Sequence, residues 1–197
     1  MNLLSFLFIL LSFSSFGQLS KEEILSGRKS HSDELLDPDK KILTPEEIES
    51  FNGLDYFPFD STYQVTAVFT KAKGPKFEMP TTTERRPVYR KYGEIKFTFA
   101  DKVHVLNVYQ NIELSKSKEY KNYLFVPFRD LTSGKESYGG GRYLDLEKQR
   151  GNKWLIDFNL AYNPYCAYSY RYSCPIPPKE NRITTPIQAG EKIPFGH

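Results

Sequence analysis

Cysteine is scarce in this chain, with only Cys166 and Cys174 among 197 residues. Their spacing makes no C-x-x-C redox motif. The three histidines (His31, His104 and His197) are too scattered to complete a zinc set. The sequence therefore predicts no metal and no cofactor. No nucleophile–base signature is legible, and no Gly-Lys-Ser/Thr follows a glycine run, so a phosphate loop is excluded. Charge of one sign is not in excess: the net charge is +3. No aromatic-plus-basic motif of an RNA-binding sheet occurs, which argues against nucleic acid as a partner. Past the N-terminus no apolar run is long enough to span a bilayer, so no transmembrane segment is expected. Internal repeats and low-complexity linkers are also missing, leaving a chain of the size of one domain.

Aromatic residues are abundant, with 14 Tyr and 15 Phe. Flat rings suit a pleated, half-buried surface and favour strands. Residues 1–17 carry no charged side chain, and Leu3 to Leu11 is almost wholly apolar. This short run, ending in Ser15-Phe16-Gly17, reads as a secretory signal peptide cleaved after Gly17. The expected location is periplasmic or secreted. Charge is uneven beyond the leader. Gln18 to Asp60 holds five basic and eleven acidic residues, and Lys71 to Lys102 holds nine basic and four acidic. Either the acidic segment packs against the basic one, or the basic one forms a groove for an anion.

Residues 18–60 read as a helical segment packed on the domain, and 61–197 as a β-rich core with a C-terminal wrap. Ser20 followed by Glu23 is a capping box opening a helix to about Arg28. Thr44-Pro45-Glu46-Glu47 opens a second helix, which should end at Asn52-Gly53. From Thr62 the period changes to two. Tyr63, Val65, Ala67 and Phe69 mark one strand, and Ile95, Phe97 and Phe99 a second. The latter turns at Ala100-Asp101-Lys102 into a run from Val103 to Tyr109 that should be buried on both faces. Further strands fit Tyr123–Phe128, Tyr138–Leu146 and Lys153–Asn159. Past Leu160 the chain should wrap the sheet as ordered coil. The fold class is mostly β: a single antiparallel sandwich or barrel-like domain with one or two short N-terminal helices.

The most unusual stretch is Tyr138-Gly139-Gly140-Gly141-Arg142. Three glycines in a strand sacrifice packing, so either another backbone approaches there or a ligand lies against bare backbone. In the second case Arg142 supplies a planar donor fork for a carboxylate or phosphate. On a regular strand Tyr138, Gly140 and Arg142 share one face, and Tyr143 and Asp145 share the other. Asp157 and Asn159, followed by Asn163, line a cavity or form a buried network that ties down the following coil. Glu180 could reach back to Arg142. The ligand-binding candidates are thus Tyr138, Gly140, Arg142, Asp157, Asn159 and Asn163, and the catalytic candidates are Asp157 and Glu180. In an oxidising compartment Cys166 and Cys174 should close a small disulfide loop.

Several motifs occur together and in order: Phe51-Asn52-Gly53-Leu54-Asp55-Tyr56-Phe57-Pro58, Thr132-Ser133-Gly134 with Tyr138 to Asp145, Asp157-Phe158-Asn159, Tyr162-Asn163-Pro164, Cys166-Ala167-Tyr168, Cys174-Pro175 and Glu180-Asn181-Arg182. With them the chain resembles the bacterial and archaeal family catalogued as domain of unknown function 1684. The resemblance covers most of the chain and implies a shared fold without an established activity. It also implies a rival to the disulfide: similar proteins without leaders carry the same cysteine pair, which there would be paired free thiols.

Three functions follow from these residues. The first is a binding module holding a small anionic or sugar-like ligand near Arg142. The second is an enzyme, such as a hydrolase, with Asp157 or Glu180 as acid or base and Arg142 stabilising developing negative charge. The third is a structural envelope protein with no pocket.

Overall fold

The computed structural model describes residues 18–194; the leader read over residues 1–17, and His197, lie outside the described residues. Both capping boxes form. The Ser20 hydroxyl accepts from Glu23 N–H at 3.2 Å while Glu23 Oε2 accepts from Ser20 N–H at 2.8 Å. Thr44 and Glu47 repeat the exchange. Helix α1, Lys21–Leu36, runs well past Arg28. Its inner stripe is Ile24, Arg28, His31 and Leu35, of which Ile24 and Leu35 are fully buried. Two polar residues in the middle of that stripe conceal its periodicity. Helix α2, Pro45–Ser50, stops short of the expected glycine, because Phe51 N–H already caps it on Ile48 O. Gly53 takes its positive φ two residues further on.

The strands are β1 (Gln64–Lys71), β2 (Lys76–Glu78), β3 (Val88–Phe99), β4 (Lys102–Asn111), β5 (Tyr123–Phe128), β6 (Arg142–Glu147) and β7 (Lys153–Asp157). They join one antiparallel sheet in the order β6-β5-β4-β3-β1-β7, with β2 paired to the start of β3. The sheet is curled, like half a barrel. Hairpin β3–β4 turns on Ala100 and Asp101, both at positive φ, as a two-residue turn between paired strands requires. A register shift between Lys91 and Gly93 bends β3. A Cβ at Gly93 would fall 2.3 Å from the Phe69 ring, so β1 approaches too closely for any side chain there.

Three expectations are corrected. Val103 and Val105 are exposed, and burial on both faces holds only from Val108 to Gln110, because the hairpin tip projects beyond β5. The strand expected from Tyr138 begins at Arg142. Residues 138–141 instead form a turn closed by Gly141 N–H on Tyr138 O at 3.0 Å, so Tyr138, Gly140 and Arg142 do not share a strand face. Strand β7 ends at Asp157, and Asn159 lies in a single 3-10 turn.

Alternation along the strands gives the sheet two apolar faces. One carries the main core: Ile95 and Phe97, Leu106 and Val108, Leu124 and Val126, Leu144, Trp154 and Ile156. The other carries Met79, Tyr89, Tyr109, Phe125 and Tyr143, with Phe77, Tyr123 and Tyr162 at its margin. Residues 161–194 contain no strand and only a single 3-10 turn. They touch the body through isolated bridges, including Tyr143 to Tyr162 and Arg129 to Arg182. Ile183, Ile187 and Ala189 fill the main core. Asn181 pins this segment, accepting from Asn107 N–H and donating to Asn107 O and Pro127 O. The acidic N-terminal segment does not pair with residues 71–102. Among the described residues its acidic side chains form ion pairs only with Lys29, Lys40 and Lys192, and Leu35, Ile42 and Leu43 dock on Tyr165, Tyr168 and Tyr172.

Candidate functional site

Arg142 opens β6 fully buried. Nη2 donates to Asp130 Oδ2 at 2.9 Å and to Ile187 O at 2.7 Å; Nη1 donates to Glu191 O at 3.0 Å and to Ala189 O. Asp130 Oδ1 in turn accepts from Thr132 and from Ile187 N–H. The donor fork read from the sequence is present, but its acceptors are the chain's own C-terminal carbonyls. Burial lowers the Arg142 pKa, and Asp130 and Glu191 oppose that shift. The glycines serve the same junction. Gly141 has φ +93°, and a Cβ there would lie 2.6 Å from Phe128 O and 2.8 Å from the Pro177 ring. Close approach of another segment is thus what residue 141 requires, while Gly140 lies under the Tyr138 ring.

The other candidates divide among separate places. Asp157 Oδ1 accepts from Asn159 N–H and Nδ2, and its Oδ2 from Gln64 Nε2. Asn159 exchanges two hydrogen bonds with the Asp60 backbone. That is the buried network tying down the coil. Glu180 is exposed and plays no part in the Arg142 cluster. Asn163 donates its backbone N–H to Glu191 Oε2 at 2.8 Å and its amide to Tyr168 and Lys192 O.

Glu191 introduces a constellation that the sequence reading passed over. Its carboxylate is fully buried and also accepts from Tyr56 and Tyr168 at 3.2 and 2.7 Å, with His31 Nε2 3.6 Å away. The buried Nε2 of His31 has no hydrogen-bond partner, and its ring lies 5.7 Å from that of Tyr162. On the far side of Tyr162 stands Asp145 of β6. Tyr162 donates to Asp145 Oδ2 at 2.8 Å, and Tyr123 of β5 to Oδ1 at 2.7 Å. Helix α1 therefore brings His31 within electrostatic reach of two carboxylates, Glu191 and Asp145. Burial pushes the Asp145 carboxyl up to about 6, against the pull of the two tyrosine hydroxyls and His31. Burial also raises both tyrosines well above their usual range, so they remain donors. The signal was legible in one respect, since Tyr143 and Asp145 share the face of β6 opposite Arg142.

A third group lies beside Tyr143 and Tyr138. Cys166 and Cys174 are thiols, Cys174 buried and Cys166 partly exposed. Cys166 N–H donates to Cys174 Sγ at 3.2 Å. A hydrogen bond from the Cys174 thiol, helped by Thr82 and Tyr138, lowers Cys166 to about 7 against the effect of burial; Cys174 is pushed up in return. Elsewhere, a depression of about 120 Å³ opens between the end of α2 and Ala167, Tyr168 and Pro194, with Glu47 its only charged lining.

A family model described as "Protein of unknown function (DUF1684)" matches residues 49–192, from the end of α2 through Lys192. The chain belongs to the DUF1684 family. The match spans Arg142, Asp145, both cysteines and Glu191, whereas Arg28 and His31 on α1 precede it. The solution NMR structure of an uncharacterized protein of Haloarcula marismortui is similar at 34% identity and a TM-score of 0.69, covering 89% of this chain and 95% of that one. No curated protein matches the chain. This DUF1684 chain thus shares its fold with a solved archaeal relative.

Proposed function

We propose that this DUF1684 protein is a binding module for a small, polar, sugar-like ligand, held over Asp145 at the edge of the sheet's aromatic face. The observation that carries the reading is the partly buried Asp145 carboxylate, held by two tyrosine hydroxyls, with His31 across Tyr162 from it. A carboxylate with spare lone pairs beside aromatic rings suits a polyol: the rings cover its C–H faces and the carboxylate takes its hydroxyls. The proposed centre lies on β6 three residues past Arg142, with Arg142 as the post behind it.

An enzyme is the second reading, favoured by one observation. The Asp145 carboxyl, held by two tyrosine hydroxyls and pushed by burial up to about 6, suits general acid–base work near neutral pH. We also take residues 1–17 as a cleaved leader, so that the working form begins at Gln18 and lies outside the cytoplasm.

A thermal-shift screen of mono- and disaccharides tests the binding reading. The expected result is a rise in Tm with at least one class of sugar, lost in Asp145→Asn and reduced in Tyr162→Phe. No shift with any sugar, or a shift that Asp145→Asn leaves unchanged, would overturn it.

A further inference from the structure

The two cysteines do nothing in the binding reading, yet the fold brings them together from opposite ends of a loop. Cys166 sits in the single turn Tyr165–Ala167, after Pro164. Cys174 precedes Pro175 and is tied to the segment following β2: Thr82 N–H donates to Cys174 O at 2.9 Å, Cys174 N–H to Thr82 Oγ1 at 3.1 Å, and Ile176 N–H to Pro80 O at 2.8 Å. Around them stand the Tyr138 and Thr82 hydroxyls and Arg85, whose guanidinium is fixed on Ser173 O at 2.5 Å. The thiols hydrogen-bond one another, Cys166 partly exposed and Cys174 buried.

We propose that Cys166 and Cys174 are a redox-active dithiol that exchanges with disulfides, Cys166 attacking and Cys174 resolving. Asymmetry assigns the roles. The attacking sulfur must meet an incoming disulfide, and only Cys166 is partly exposed. It also receives the donors that favour a thiolate, and ionises near neutral pH, where an attacking thiol is most effective. The backbone N–H aimed at Cys174 Sγ steadies that sulfur as it later loses its own proton.

In the first step the Cys166 thiolate attacks one sulfur of a disulfide R–S–S–R. The S–S bond breaks, a mixed disulfide forms on Cys166, and RS⁻ leaves to take a proton from water. Cys174 then gives up its proton and attacks Cys166 Sγ, expelling the second RS⁻. The pair is oxidised by two electrons and the substrate is reduced to two thiols; a dithiol reductant runs the sequence backward. An intramolecular disulfide and a pair of free thiols are thus the two states of one site. This inference does not rest on the sugar-binding reading, and its test uses no sugar.

The experiment equilibrates the full mature chain in mixtures of reduced and oxidised glutathione, alkylates remaining thiols with iodoacetamide, and reads intact mass. The expected result is reversible interconversion between species with two and zero alkylated thiols. Cys174→Ser should accumulate a glutathione adduct at Cys166, while Cys166→Ser should not. On the reduced wild type, alkylation of Cys166 should follow an ionisation about thirtyfold more acidic than an ordinary thiol of pKa about 8.5, near pH 7. A pair that stays oxidised in excess reduced glutathione is a structural disulfide and overturns the proposal. So does a pair that never closes, or an adduct found on Cys174 in preference to Cys166. If the serine variants do not fold, the wild-type mass series and alkylation profile decide alone.

Discussion

Arg142 and Asp145 stand three residues apart on β6 and point to opposite faces, and the chemistry of the two faces differs accordingly. Arg142 is a post: its guanidinium binds Asp130 and three carbonyls between Ile187 and Glu191. Arg142→Ala leaves Asp130 as an unpaired buried charge, so a loss of about 3–5 kcal/mol of stability is expected by urea unfolding. A loss below about 1 kcal/mol would show that the post carries little. Asp145 ionises near 6, above its ordinary 3.8. The fold favours its protonated form, so its stabilising contribution is fully present below about pH 4 and is lost as pH rises through about 6. Asp145→Asn, which cannot ionise, should flatten that part of the stability–pH profile; an unchanged decline between pH 4 and 7 would contradict the assignment. The residue type at 142 was legible from sequence as a donor fork. Its acceptors were not, because backbone carbonyls some 45 residues away leave no mark on local spacing.

Elements whose signals are local were the ones legible in the sequence. The two capping boxes, the Ala100-Asp101 turn and strand β5 all sit where their residues place them, since each rests on neighbours within a few positions. Strand β2, three residues long, offers too short an alternation to read. The extent of α1 was hidden because Arg28 and His31 occupy the stripe that should be apolar, and they do so because Glu191, Tyr56 and Tyr162 await them. The glycine run misled through its composition: it is a turn into β6, and only Gly141 needs its freedom. Gly141→Ala should cost on the order of 1–3 kcal/mol, from its φ of +93° and the nearby Phe128 carbonyl. Gly139→Ala, with its nearest neighbour at 3.5 Å, should be close to neutral. Equal Tm values for the two variants would contradict this account of the turn.

At the scale of the molecule, one curled sheet is packed on both faces, and a long coil serves both. Residues 183–189 complete the main core while Tyr162 and the cysteines border the aromatic face. The mostly β, antiparallel architecture was legible from period-two alternation. The meeting of α1, β6 and the C-terminal coil at Asp145 was not, because α1 lies more than a hundred residues before the other two. Among the described residues no helix is long and apolar enough to cross a membrane. If the leader is removed as proposed, the intact mass of the exported protein should correspond to a chain beginning at Gln18; a mass retaining residues 1–17 would contradict cleavage. The central claim is that Asp145 holds a small polar ligand. Native mass spectrometry of the protein purified gently from its own cells tests it most directly. The account predicts a reproducible sugar-sized added mass on the wild type that Asp145→Asn loses while keeping its fold. An added mass that persists in Asp145→Asn, or none on the wild type even with saturating sugars present, would contradict it.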